Sequence, residues 1–269
     1  MILEETLDII KIKYAQRFDG ITIEKLLAGI YYTAVKLSNG YSGVAYTNTD
    51  AADCCTHNRS KGFGDFTPGN FKGQRVADLF DHADQTRFIK TVQLSVMNAL
   101  SAELLEGSDY HIIKNQDPFD LLDLNGRKRV CLVGAFLSYM KKIAESECSL
   151  QIIELNEDAV PDEFKQFLVS AEKEEEVLTK SDIVIITGSS IANFTLDDLL
   201  KAIPRTTQVI LVGPTSSLLP DVLFACGVDL IGATQITDSE KMFQLIAEGA
   251  AGFHLFRYCA TKICMVNES

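Results

Sequence analysis

The sequence predicts an α/β protein in two parts: an N-terminal α+β domain over residues 1–120 and a Rossmann-like parallel-sheet domain over 121–269. Two observations carry that expectation. Beyond residue 129, five short apolar runs recur at 130–133, 150–155, 183–187, 209–212 and 228–231, most of them separated by helix-like segments. Strands alternating with helices make βαβ units and so a parallel sheet wound right-handed. The residues before Asp117-Pro118 lack this alternation, and their periodicity reads as helix, hairpin, helix. With 269 residues and 46% hydrophobic content, the chain has ample core for one large or two medium domains.

The elements follow in order. Leu3, Leu7, Ile10 and Tyr14 recur at helical spacing while Glu4, Glu5, Asp8 and Lys11 fall elsewhere on the wheel, which predicts an opening amphipathic helix. In residues 30–47, β-branched and aromatic residues flank Ser38-Asn39-Gly40, and Asn-Gly between apolar runs signals a hairpin because both residues tolerate positive φ. Residues 48–75, rich in Asn, Gly, Asp and Lys, read as a long loop. Ile89, Val92, Val96, Ala99 and Leu104 mark a second helix, with Asn98 an odd amide near its buried stripe. In the second half, Thr195 is the expected cap of one helix, and Thr237 with Glu240 forms a capping box for another. The acidic cluster at 172–176 is expected to be a solvated helix face.

Charge and composition exclude several roles. A net charge of −12, from 37 acidic and 25 basic residues, argues against binding nucleic acid or an anionic membrane. Seven cysteines, an odd number, argue against a disulfide framework. Acids near the N-terminus and the lack of a long apolar run lead us to expect a cytosolic protein. A homo-oligomer is compatible with this composition.

Two places could carry chemistry. In Asp53-Cys54-Cys55-Thr56-His57-Asn58, two thiols and an imidazole suit a soft metal. The spacing lacks the paired CxxC of a zinc site, so small packing cysteines beside a polar loop are the favoured reading. The other place is the set of strand ends, where parallel sheets bind ligands. Gly134-Ala135-Phe136, Glu154-Leu155-Asn156, Thr187-Gly188-Ser189-Ser190 and Gly213-Pro214-Thr215-Ser216-Ser217 repeat glycines and hydroxyls at neighbouring strands. Any one of these is an ordinary turn; their repetition favours a crevice for a small polar molecule. Glu154 stands 20 residues after Gly134, where dinucleotide folds place an acid on the ribose. The run GAFLSY keeps one glycine of GxGxxG, which disfavours a pyrophosphate and NAD but leaves a nucleoside-type ligand such as S-adenosylmethionine. Asn193 suits either a loop or the crevice. Histidines 57, 82, 111 and 254 have no local partner pattern, Ser189 lacks a hydrolase elbow, and Cys131 and Cys226 read as packing residues.

Thr187-Gly188-Ser189, Asn193-Phe194-Thr195, Val212-Gly213-Pro214, Gly227-Val228 and Gly232 resemble, in order and spacing, the C-terminal domain of the heavy-metal chelation family. Gly43-Val44-Ala45-Tyr46-Thr47, Gly73 with Leu79, and Asn98-Ala99 resemble its N-terminal segment, so the likeness covers nearly the whole chain. The resemblance implies an enolase N-terminal-like domain, a Rossmann-like domain and a ligand site between them. Asn98 and residues 43–47 would face that cleft from one side. Gly134, Thr187, Gly188, Ser189, Asn193, Gly213 and Pro214 would face it from the other, joined by Phe136, Glu154 and Thr215 from the strand ends. The function expected is binding of a small polar metabolite or a transition-metal complex. The alternative is a transferase or lyase using a nucleoside cofactor.

Overall fold

The structure is a computed structural model that describes residues 1–48, 64–82 and 85–268. Helix α1 (Ile2–Tyr14) buries Ile2, Thr6, Ile10 and Tyr14, so the expected stripe is present with Leu3 and Leu7 half-buried at its flank. It packs on α3 (Arg87–Leu105), to whose Glu103 carboxylate the Tyr14 hydroxyl donates at 2.8 Å. The short α2 (Val76–Phe80) ends the stretch read as a long loop.

Strands β1 (Ile23–Ala28), β2 (Tyr32–Leu37) and β3 (Ser42–Tyr46) form an antiparallel sheet in that order. The hairpin lies where Asn-Gly placed it, but its loop is longer than a two-residue turn. Leu37 N–H donates to the Tyr41 carbonyl at 2.9 Å, and of the Asn-Gly pair Gly40 takes positive φ while Asn39 does not. β3 lies directly on α3 at Gly43, where a Cβ would sit 2.3 Å from the Ser95 carbonyl oxygen and 2.4 Å from the Ala99 nitrogen. Only glycine permits that approach.

The second sheet has seven strands: β4 (Ile112–Lys114), β5 (Arg129–Val133), β6 (Ser149–Ile153), β7 (Ile183–Thr187), β8 (Gln208–Val212), β9 (Leu230–Ile236) and β10 (Ala260–Val266). Their spatial order is β4-β10-β9-β8-β7-β5-β6. The five strands foreseen from the apolar runs are parallel, whereas β10 runs antiparallel to both β9 and β4. β4 falls within 1–120 yet hydrogen-bonds to the large sheet, so the two parts interleave near their junction.

Helices α4 (Leu137–Ala144), α5 (Glu174–Lys180), α6 (Ser189–Ala192), α7 (Leu196–Ala202), α8 (Asp221–Ala225), α9 (Ser239–Ala247) and α10 (Gly252–Tyr258) complete the fold. Two expected caps differ. Thr195 stands at the N-cap of α7, but its hydroxyl donates to the Ser190 carbonyl and caps nothing. α9 begins one residue later than the Thr237 box requires, capped by Asp238, whose carboxylate accepts from Lys241 N–H at 2.9 Å. An aspartate at that position satisfies an orphan N–H directly.

The two parts share a core. Ile10, Leu100 and Val35 belong to one buried cluster with Ile186 and Leu211 of the large sheet. Ala34 and Val44 of the small sheet pack with Met242, Phe243 and Ile246 of α9. No helix among the described residues is long and apolar enough to cross a membrane.

Candidate functional site

From β5 the chain runs through α4 to β6 at the sheet edge, then crosses back over β5 to β7 on its other side. Neighbouring strands β5 and β7 thus send their connections in opposite directions, and a crevice opens at their carboxyl ends. A cavity of about 410 Å³ lies there.

Its floor is glycine for a steric reason. Gly134 has φ +115°, and a Cβ there would meet the Thr187 Cβ at 2.8 Å. The Thr187 and Ser189 hydroxyls lie 3.1 Å apart at the rim, and the Ser190 hydroxyl donates to the Thr187 carbonyl at 2.7 Å. On the β6 side, one Glu154 oxygen accepts from Asn156 N–H at 2.9 Å, which leaves the other carboxylate oxygen without a partner among the described residues. Asn193, Thr195 and Asn156 add neutral polar groups, Glu174 a second carboxylate, and Tyr46 the single wall residue from the small sheet. Among the described residues, no Lys, Arg or His lines the cavity.

Of the residues singled out from the sequence, Gly134, Phe136, Glu154, Thr187, Ser189 and Asn193 line this cavity. Gly213 and Pro214 instead line a second cavity of about 380 Å³, which shares Ala135 and Phe136 with the first. Three others line neither. Gly188 is held from beneath, its N–H on the Val212 carbonyl at 2.7 Å. Thr215 is buried, and its hydroxyl accepts from Tyr46 N–H at 3.0 Å.

Asn98 departs furthest from expectation. It is 1% exposed, and its amide nitrogen donates to the main-chain carbonyls of Val44 at 2.8 Å and Thr215 at 3.1 Å. It ties the small sheet to the loop after β8 and does not face the cleft. Its carbonyl oxygen is buried with no hydrogen-bond partner among the described residues.

Sequence reasoning missed Glu174, read only as part of a solvated face. The rest of that cluster is indeed exposed, but Glu174 is half-buried because α5 starts beside the crevice. No local signal marks it, since the segment between β6 and α5 is short 3₁₀ turns without periodicity. Cys131 is fully buried, which pushes its thiol up to about 12 and suits a packing role.

Cys54, Cys55 and His57 lie outside the described residues. Among the described residues, no group of three or more His, Cys, Asp or Glu is placed to hold a metal ion. The described lining of the first cavity offers oxygen donors, with no thiol or imidazole among the described residues, so those residues by themselves do not fit a soft heavy metal as a directly coordinated ion.

Comparison with known proteins agrees with the fold. Two family models, both described as "Putative heavy-metal chelation", match residues 12–101 and 117–265. An uncharacterized protein of Methanocaldococcus jannaschii is 25% identical over 191 residues, which is 71% of this chain and 69% of that one. A solved structure of a protein with unknown function from Pyrococcus horikoshii superposes with a TM-score of 0.76 at 21% identity, covering 99% of this chain and 100% of its own. Another, from Desulfitobacterium hafniense, gives a TM-score of 0.68 at 18% identity and 98% coverage of both chains. With one model spanning more than half of its 269 residues, the chain belongs to the family described as "Putative heavy-metal chelation".

Proposed function

We propose that this protein binds a small, hydroxyl-rich, phosphate-free metabolite in the cavity between the ends of β5 and β7, and that any heavy metal it handles arrives as that metabolite's complex. One observation carries the reading: the lining holds two carboxylates and a ring of hydroxyls and amides, with no basic side chain among the described residues. Carboxylates accept hydrogen bonds from hydroxyls and attract cations, and they repel a phosphate that has no cation to meet it. The family description adds heavy-metal chelation as the wider role. Among the described residues, the oxygen donors favour metal carried by an organic chelator over metal held by side chains.

A second reading has its own support in Glu154. Its place at the end of β6, with one oxygen unpartnered among the described residues, suits a ribose, so a transferase or lyase using a nucleoside cofactor such as S-adenosylmethionine would also use this cavity.

Isothermal titration with adenosine, S-adenosylmethionine and AMP tests both. Adenosine should bind about tenfold more tightly than AMP, because the added phosphate meets carboxylates. A preference for AMP would refute the reading. Tight binding of S-adenosylmethionine alone would favour the enzyme. Thermal stabilisation by an iron- or nickel-citrate complex, without stabilisation by the bare ion, would favour metal handling.

A further inference from the structure

We propose that the second cavity, on the far side of Phe136, is a separate binding site for an aromatic carboxylate. Its walls are aromatic: Tyr32 from β2, Phe136 and Tyr139 from the first turn of α4, and Phe253 and Phe256 from α10. Phe253 is 71% exposed at the rim, an apolar cost that a stacked ligand would remove. At about 380 Å³ the space is of small-ligand size.

Beside Gln116, Ser138 and the Asp117 carboxylate, these walls carry two donors, Lys262 and the Tyr32 hydroxyl. Lys262 gives one proton to Asp117 Oδ2 at 2.8 Å and lies over the Phe256 ring at 5.4 Å, and its other two protons have no hydrogen-bond acceptor among the described residues. The Asp117 carboxylate is already occupied, since it also accepts from the Tyr139 hydroxyl and from Phe119 N–H at 3.1 Å. Burial works to raise the Asp117 carboxyl, yet Lys262 and Tyr139 hold it below its ordinary value, so it stays charged and fixes the ammonium in place. The Tyr32 hydroxyl has no hydrogen-bond partner among the described residues, and burial pushes it up to about 12, which keeps it a neutral donor at physiological pH. Two ammonium protons and a phenol without acceptors among the described residues, set among flat apolar faces, complement an aromatic ring that bears a carboxylate.

The contrast with the first cavity is electrostatic. There Glu154 and Glu174 have no cation beside them among the described residues, whereas here the one carboxylate, Asp117, is paired with Lys262. The assignment does not rest on what the first cavity binds.

The probe is 2-naphthoate, followed by its fluorescence, with the neutral 2-naphthamide as isostere. Naphthoate should bind at one site per chain, about tenfold more tightly than the amide. Lys262→Met should abolish that preference. Phe253→Ala, at an exposed position that leaves the fold intact, should weaken naphthoate about fivefold. Equal affinity for acid and amide would overturn the proposal, as would wild-type binding by the Phe253→Ala variant or no binding of naphthoate at millimolar concentration. Loss of naphthoate in a Glu154→Ala variant would place the probe in the first cavity and also overturn it; loss of adenosine alone in that variant bears only on the first site.

Discussion

The seam between β3 and α3 and the crevice between β5 and β7 both depend on glycine and on amide side chains, for opposite ends. At the seam, Gly43 has an ordinary backbone conformation, and a side chain is excluded because the helix backbone already occupies its place. At the crevice, Gly134 combines positive φ with a close wall, and the chain bends away to leave space above it. The amides divide in the same way. Asn98 is spent on two main-chain carbonyls, while Asn193 stands in the cavity wall. Close packing is used where two segments must be held together, and polar groups are left open where the cavity forms.

Substitutions can break that comparison. Gly43→Ala should have the largest effect on stability, about 3 kcal/mol measured by urea unfolding, because backbone atoms at 2.3 and 2.4 Å must move. A loss below about 1 kcal/mol would mean the seam relaxes and is not the rigid partner of the pair. Asn98→Ala should follow at about 2 kcal/mol, since the Val44 and Thr215 carbonyls lose their donor in a buried place. An unchanged midpoint would show that water replaces the amide.

The crevice should respond differently. Glu154→Ala removes a half-buried carboxylate with no ion-pair partner among the described residues, so the unfolding midpoint should stay within about 0.5 kcal/mol. Adenosine affinity should fall about tenfold in the same variant. A drop in stability without a drop in affinity would make Glu154 a structural residue and sharpen the contrast against us.

The smallest effect concerns the opposite end of the same two strands. Arg129 at the start of β5 pairs with Asp182 before β7 at 2.8 Å, and Asp182 also accepts from Arg129 N–H. These bonds lower the Asp182 carboxyl from 3.8 to about 2. A carboxyl depressed in the folded state adds stability above its unfolded value, and that stability is lost as pH falls from 3.8 toward 2. The pair is exposed, so Asp182→Asn should cost about 0.5 kcal/mol at pH 7 and progressively less as the pH falls below 3.8 toward 2. A pH-independent difference would assign the effect to the backbone bond.

Legibility in the sequence followed burial. The five parallel strands are covered on both faces, so β5 and β7 read as unbroken apolar runs. β1 and β4 are only partly buried, and β10 carries Lys262 within it, so none of the three shows a clean period. At the site, the strand-end rule led to Gly134, Thr187, Ser189 and Glu154 because it depends on topology that the apolar runs already imply. Asn98 was rightly singled out as a polar group on a buried stripe. What it touches is set by carbonyls 54 and 117 residues away in the chain, which no local pattern encodes.

Local sequence was enough for the alternation that makes the parallel sheet, the hairpin at Asn-Gly and the glycine- and hydroxyl-rich strand ends around the cavity. These rest on periodicity, on the conformations glycine allows, and on composition, all of which are properties of neighbouring residues. The tertiary structure alone decided that Glu174 joins Glu154 around one cavity, that Phe136 divides that cavity from an aromatic one, and that Lys262, Asp117 and Tyr139 meet. Those groups come from elements far apart along the chain, and their meeting depends on the strand order and the docking of α10, which hydrophobic burial selects only once the whole core closes.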